Sequence, residues 1–298
     1  MTEVTRSGFV TFIGRPNVGK STLTNALVGE KIAITSAKPQ TTRRAIRGIV
    51  NRAGGQIVIV DTPGIHKPRT LLGERLNDLV EQVLGDVDVI GFLVPATEKV
   101  GPGDRRIAAT LDGYPRARKV AIVTKTDAAS RDEITERLIE VDALREDWAA
   151  VIPLSAVAGE QLDVLADELL TLMPEGPALY DDGVVTDESL EDRVAEIIRE
   201  AALEGVRDEL PHSIAVVIDD LQVRESGELT DIHASLVVER DSQKGIIIGH
   251  RGARLREVGT RARAQLEPLV GTKVFLKLHV RIAKEWQRDP KQLGRLGF

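Results

Sequence analysis

The chain has 298 residues, with 40 Lys and Arg against 46 Asp and Glu, a formal net charge of −6, and aromatic residues at 3%. Taken whole, that balance argues against nucleic acid as the main partner and leaves few rings for stacking on bases. The absence of cysteine excludes disulfides, thiol catalysis and Cys-ligated zinc, and fits a reducing cytoplasm.

The polar start, Met1–Gly8, has no signal-peptide pattern, and no apolar run approaches the roughly 20 residues a helix needs to cross a membrane. A soluble, unsecreted protein is the expectation. Phe9–Gly14 reads as a short apolar strand entering a glycine-containing loop, followed by a helix over Ser21–Val28. Ala45–Asn51 and Gln56–Asp61 read as strands joined by the hairpin turn Arg52-Ala53-Gly54-Gly55. Asp88–Pro95, Lys119–Thr124 and Ala149–Leu154 are apolar runs of the kind found in buried parallel strands. Helical stretches fall near Leu71–Gly85, Asp104–Leu111, Asp132–Leu144 and Gln161–Leu172. Strand alternating with helix predicts an α/β domain with a mostly parallel sheet, over 1–173.

Pro174, Gly176, Pro177, Asp181, Asp182 and Gly183 mark 174–186 as a linker. Over 187–298 the order changes to helix, strand, strand, helix, helix, strand. The first helix begins near Ser189, with Leu190, Val194, Ile197, Ile198 and Ala201 on one face. The strands are Ile214–Leu221 and Ile232–Glu239. A short helix then ends at Ile248, a second carries Leu255, Val258, Ala262 and Leu266, and a final strand runs over Thr272–Ile282.

Gly14-Arg15-Pro16-Asn17-Val18-Gly19-Lys20-Ser21, continued by Thr22, matches the phosphate-loop pattern G-x-x-x-x-G-K-[ST] between a strand and a helix. Its glycines let backbone N–H groups turn inward around phosphate oxygens, and the helix N-terminus adds partial positive charge. Lys20 reaches the outer phosphates and Ser21 offers a hydroxyl to Mg²⁺. Asp61-Thr62-Pro63-Gly64 follows a buried strand, where the acid can hold Mg²⁺ through water and Gly64 can sense a γ-phosphate. Thr124-Lys125-Thr126-Asp127 closes another strand. A carboxylate at Asp127 can accept hydrogen bonds from guanine N1–H and N2–H₂, which adenine does not offer. Ser155-Ala156 follows the next strand and offers a backbone N–H to the base carbonyl.

With these motifs in this order, and with Gln40-Thr41-Thr42-Arg43, the chain resembles GTPases of the translation-factor class. More closely, over nearly its full length, it resembles the Era family of bacterial ribosome-assembly GTPases. The resemblance implies GTP and GDP binding, slow Mg²⁺-dependent hydrolysis, and binding near the 3′ end of 16S ribosomal RNA in assembly of the 30S subunit. It also implies a monomer in the cytoplasm, with loose peripheral association at the inner face of the cell membrane. Ser21, Thr42 and Asp61 are the expected metal site. Thr42 is the expected switch I residue, with neighbouring Thr41 the competing choice. Lys20, Asn17, Thr42 and Gly64 form the expected catalytic set. Ile65 stands where many GTPases carry a water-orienting Gln and cannot polarise water. Relatives with an apolar residue there often use K⁺, and Asn17 matches their K⁺ ligand. Thr124 stands where the family has Asn, whose amide meets guanine N7 and ties down the phosphate loop. A Thr hydroxyl has a single donor, so weaker affinity with retained guanine preference is expected.

Charge separates sharply within 188–298. Residues 188–239 carry 4 basic and 14 acidic side chains, whereas 240–298 carry 14 basic and 5 acidic. The basic part contains Gly249-His250-Arg251-Gly252 after Ile248, between two helices. A loop with glycine at both ends can lie close to a nucleic-acid backbone, and this one resembles the GXXG clamp of KH domains. The element order matches the type II arrangement, so the expected architecture is a phosphate-loop GTPase domain followed by a smaller α+β KH domain. Arg254 on the following helix, and Lys273, Lys277 and Arg281 on the final strand, are the other expected RNA contacts. Two other classes stay open: an NTPase whose second domain is only structural, and a GTPase whose basic segment meets anionic lipid. Trp286 and Phe298 are expected to pack rather than to stack on bases.

Overall fold

The computed structural model describes residues 5–36, 41–64, 68–206 and 210–298. Gln40 and Ile65, both singled out above, lie outside the described residues. The chain divides into two compact units, residues 1–67 with 76–187 and residues 68–75 with 188–298. Among the described residues, no helix is long and apolar enough to cross a membrane.

The first unit runs β1 (Arg6–Ile13), α1 (Lys20–Val28), β2 (Ile46–Arg52), β3 (Gly55–Asp61), α2 (Leu71–Asp86, of which the part from Leu76 onward belongs to this unit), β4 (Val89–Pro95), α3 (Pro102–Thr110), β5 (Arg118–Thr124), α4 (Arg131–Asp142), β6 (Trp148–Pro153) and α5 (Leu162–Leu172). Its six strands lie in the order β2-β3-β1-β4-β5-β6. All neighbours are parallel except the hairpin pair β2 and β3. Strands β3, β4 and β5 are buried almost end to end because both sheet faces are covered, whereas edge strand β2 exposes Arg47 and Asn51. On one face Val10, Phe12, Ile57, Ile59 and Ile122 pack with Leu23 of α1 and Leu165 and Leu169 of α5. On the other, Ile90, Phe92, Val94 and Val123 pack with Val80 and Leu84 of α2, Ile107 of α3 and Val141 of α4. Phe92 also stacks on Trp148, with ring centroids 5.7 Å apart. Each such fully buried side chain contributes roughly 1.5–3 kcal/mol of transfer free energy. Strand β1 lies between β3 and β4, where the winding of the sheet reverses, so the loop leaving its C-terminal end opens into the crevice where α/β folds bind ligands.

Residues 174–186, which the sequence marks as a linker, are held along the first unit. Pro177 O accepts from Ser7 Oγ at 2.5 Å. Gln56, 1% exposed, accepts from Leu179 N and Tyr180 N and donates to Tyr180 O. Val185 O accepts from Ile49 N at 2.9 Å, and Arg47 donates to Asp187 at 3.0 Å. This strap therefore runs against β2, the edge strand of the sheet.

The second unit contains α6 (Leu190–Leu203), β7 (Ala215–Val223), β8 (Leu229–Val238), α7 (Asp241–Ile248), α8 (Ala253–Val270), β9 (Lys273–Ile282) and α9 (Pro290–Arg295). Strand order is β7-β8-β9, antiparallel then parallel. Ile232, Ala234, Leu236 and Val238 of β8 are fully buried with Val194 and Ile198 of α6 and Val258, Ala262 and Leu266 of α8. Strand β8 begins three residues before the sequence expectation, because Leu229 pairs with Lys273 and Thr230 with both Val223 and Val274. Helix α9 lies beyond the last element that the sequence pattern predicts. Asp289 caps it by accepting from Lys291 N and Gln292 N, and Pro290 opens its first turn, so Asp-Pro was the available signal. Trp286 is fully buried, donates to Ser213 O and stacks on Phe298, a packing role for both rings.

Candidate nucleotide and RNA sites

The phosphate loop is shaped by glycine at two places. Gly14 has φ +157°, and a Cβ there would lie 2.6 Å from Leu93 O. Gly19 has φ +105° and immediately precedes α1, with open space where a side chain would project. That space is what an incoming phosphate needs in order to reach the backbone N–H groups. Lys20 Nζ bridges the Gly14 and Arg15 carbonyls at 3.3 Å each. Desolvation pushes the Lys20 ammonium below its usual range, opposed by nearby Asp61. A Cβ on Gly64 would lie 3.5 Å from Lys20 Nζ, so the D-x-x-G glycine faces the same cradle.

Asp61 is fully buried at the end of β3, and its Oδ2 accepts from Ser21 Oγ at 2.8 Å and Thr42 Oγ1 at 3.1 Å. The two hydroxyls are 3.1 Å apart. Thr42, rather than Thr41, therefore points into this cluster. Asp61 Oδ1 is buried without a hydrogen-bond partner among the described residues. Burial raises the Asp61 pKa, against the lowering effect of Ser21, Lys20 and Thr42. One carboxylate, two hydroxyls and an unsatisfied buried acceptor fit a hydrated Mg²⁺, which keeps several waters and takes few protein ligands. No cluster of three or more His, Asp or Glu able to hold a metal occurs among the described residues.

Two residues of the base-reading loop reach back to the phosphate loop. Thr124 Oγ1 donates to Val18 O at 2.8 Å, and Lys125 Nζ donates to Asn17 O at 2.7 Å. Thr124 thus keeps the loop tie attributed to the family's Asn. Asp127 is exposed, and its Oδ1 accepts from Ser155 Oγ at 2.5 Å, which orients the carboxylate. Thr126 N donates to Leu154 O, joining the base loop to the Ser155-Ala156 loop. Arg15, by contrast, turns its side chain away from the cradle. Its Nε donates to fully buried Asp104 at 2.7 Å and its Nη2 pairs with Glu98 at 3.0 Å. Asp104 also caps α3 by accepting from Gly101 N. Arg15 therefore enters the site through its backbone, and Glu98 and Asp104 are supports that the motif pattern does not reveal. A Gly-Pro-x-Asp start to α3 was the available signal for Asp104.

The second loop is open. Gly249 and Gly252 have φ of +71° and +75°, and Arg251 adopts φ +49° in the left-handed region. His250 and Arg251 are exposed, and Ile248 is half-buried beside them. Arg254 is occupied elsewhere. Its Nη2 donates to Ala202 O at 3.2 Å and Glu204 O at 2.5 Å, capping the C-terminal end of α6. On β9, Val274, Leu276, Leu278, Val280 and Ile282 face the helices, with Leu278 beneath Gly259 of α8. Lys273, Phe275, Lys277, His279 and Arg281 are exposed on the opposite sheet face. The fold thus separates Lys273, Lys277 and Arg281 from the loop that α7 and α8 carry. Lys273 also pairs with Glu267 at 3.1 Å and Arg281 with Asp219 at 3.6 Å.

A phosphate loop at the reversal point of a parallel sheet, with a buried Asp–Ser–Thr cluster and a base-reading loop, defines a phosphate-loop nucleotide hydrolase joined to a KH-type unit. Comparisons agree and sharpen this. Residues 9–126 match the family model described as 50S ribosome-binding GTPase, and residues 209–287 match the KH domain model. GTPase Era of Mycolicibacterium smegmatis is 62% identical over 300 residues, covering 100% of both chains. GTPase Era of Streptomyces coelicolor is 60% identical, covering 99% of this chain and 96% of that protein. The crystal structure of Era in complex with MgGDPNP and nucleotides 1506–1542 of 16S ribosomal RNA superposes with a TM-score of 0.93. It shares 35% identity, covering 98% of this chain and 99% of that one. An Aquifex aeolicus Era variant bound to GDP·AlF₄⁻ matches equally well. The chain belongs to the Era family of GTPases.

Proposed function

We propose that this GTPase is a nucleotide-controlled switch that binds the 3′ region of 16S ribosomal RNA and assists assembly of the 30S subunit. The observation that carries the nucleotide half is the convergence of Ser21 Oγ and Thr42 Oγ1 on Asp61 Oδ2, beside Lys20. Ser21, Thr42 and Asp61 would hold Mg²⁺, which would supply charge neutralisation for the phosphates. Thr42 belongs to the loop before β2, so with Ser21 and Asp61 it would hold Mg²⁺ and would thereby tie that loop to the nucleotide state. Lys20 holds the outer phosphates, the backbone from Gly14 to Thr22 cradles them, Gly64 N–H faces the γ-phosphate, and Asp127 with Ala156 N–H reads the base. On the RNA side the reading rests on Gly249–Gly252, with His250 and Arg251 exposed for phosphate contact. The test is binding of a 16S 3′-end oligonucleotide with GDP and with a non-hydrolysable GTP analogue. Equal affinity in both states counts against the switch.

We further infer that K⁺ would supply the positive charge that an arginine finger brings in other GTPases, with Asn17 as its protein ligand. Hydrolysis is then faster in K⁺ than in Na⁺, and Asn17→Asp abolishes the difference. The protein acts as a monomer in the cytoplasm, and the basic segment 240–298 is the surface that would meet anionic lipid. Flotation with phosphatidylglycerol vesicles tests that contact.

A further inference from the structure

The substitution of Thr for Asn at position 124 changes which atoms of the base can be read, and the structure shows why. Thr124 is 3% exposed at the end of β5, and its hydroxyl is directed at Val18 O, 2.8 Å away. A hydroxyl has one proton. Spending it on Val18 O leaves only lone pairs on Thr124 Oγ1. Guanine N7 is itself an acceptor, so the two cannot bond to each other. An Asn amide has two N–H groups and can serve Val18 O and N7 together. Rotating the Thr hydroxyl toward a base would strip Val18 O of that bond inside the protein, which is costly for a buried acceptor.

Neighbouring donors are turned to protein acceptors as well. Lys125 Nζ goes to Asn17 O, Thr126 N to Leu154 O, and Ser155 Oγ to Asp127. What remains directed at a base is the Asp127 carboxylate, suited to the N1–H and N2–H₂ edge, and the loop at Ala156, suited to the carbonyl.

We propose that this enzyme leaves guanine N7 unread: Thr124 is a positioning residue that ties β5 to the phosphate loop, and base selection is confined to the Watson–Crick edge. The inference rests on the guanine-nucleotide reading of this site. It places purine nucleotides lacking N7 among the enzyme's full ligands. In 7-deazaguanine a C–H replaces N7, and that C–H meets the Thr124 lone pairs without conflict.

The experiment is displacement of a fluorescent GDP from the full-length, Mg²⁺-loaded protein by GDP, 7-deaza-GDP and ADP. In the unaltered protein GDP and 7-deaza-GDP should compete within about twofold of each other. Thr124→Asn should make GDP the better competitor by roughly 2- to 10-fold, the range of one neutral hydrogen bond. Thr124→Val should weaken both guanine ligands by a common factor of similar size, leaving their ratio unchanged. Thr124→Ser, which keeps the hydroxyl, should restore the unaltered values. A several-fold preference for GDP in the unaltered protein overturns the proposal, as does a change of ratio in Thr124→Val or no change in Thr124→Asn. Displacement by ADP as effective as by GDP overturns instead the guanine reading beneath it.

Discussion

The molecule carries two glycine-bounded loops that each run into a helix, and they are built on opposite plans. The phosphate loop over Gly14–Ser21 is braced from outside: Thr124 and Lys125 hold two of its carbonyls, and Asp104 and Glu98 hold the Arg15 side chain. The loop over Gly249–Gly252 stands in solvent, and its conformation comes from its own backbone angles, one of them an unfavourable left-handed Arg251. The difference matches the two kinds of target. A nucleotide phosphate chain is small and rigidly placed, so a braced cradle pays its ordering cost in advance. A nucleic-acid strand is long and adjustable, so an exposed clamp can take up whichever backbone arrives.

The largest test of this contrast is Lys20→Ala. It removes the ammonium from the braced loop, and GTP hydrolysis should fall by about 100-fold or more. RNA binding in the GDP state should be retained, as measured with a labelled 16S 3′-end oligonucleotide. Replacing His250 and Arg251 together with Asp should do the reverse. RNA affinity should fall more than about tenfold, through lost phosphate contact and added repulsion. Hydrolysis in the absence of RNA should stay within about twofold of normal. If either variant damaged both activities equally, the division of labour between the loops would be wrong.

A smaller test separates the two glycines of the clamp. Gly249 combines φ +71° with ψ 178°, a region nearly exclusive to glycine, and a Cβ there would lie 2.7 Å from Arg254 Cβ. Gly249→Ala should cost about 1–3 kcal/mol of stability. Gly252→Ala meets nothing closer than an Arg256 guanidinium nitrogen at 3.8 Å and should cost nearer 1 kcal/mol, the left-handed backbone penalty alone. Differential denaturation of the two variants measures this.

Arg254→Ala should show the smallest effect on RNA. Its guanidinium caps α6, so the change should lower stability by about 1–2 kcal/mol. The salt dependence of RNA binding, which counts phosphate contacts, should stay as it was.

Arg254 also has a structural role that its sequence neighbourhood does not announce. Its place on a helix after a GXXG loop, among other arginines, resembles an RNA contact in every local respect. Only the folded backbone brings the α6 carbonyls 50 and 52 residues away into its reach. Lys273, Lys277 and Arg281 teach a related point. Their alternation with apolar residues correctly placed them on one face of a strand. The same alternation marks the apolar face as the one the helices cover, but it does not say that the Gly249–Gly252 loop lies with those helices, away from the basic face. The nucleotide site was far more legible, because its motifs are short contiguous segments whose chemistry is carried by backbone and adjacent side chains. Even there, the Arg15–Asp104 pair spans 89 residues: the Gly-Pro-x-Asp start of α3 marks Asp104 as a cap, not as the partner of Arg15. The marking of 174–186 as a linker followed from Pro and Gly content, which reports what the chain avoids as regular structure. It does not report that buried Gln56 would hold Leu179 and Tyr180.

That strap has a consequence for handling the protein. Strand β2 is an edge of the six-stranded sheet, and Val185 and Thr186 pair with its outer side at Ile49 and Gly48. An uncovered edge strand is a template for pairing with another molecule. A shortened chain ending at 173 would keep every nucleotide motif and lose this cover, leaving β2 free to recruit the β2 of a second copy. One ending at 187 keeps the edge sealed. Self-association of the shorter piece alone, followed by light scattering, would mark the strap as a safeguard against aggregation.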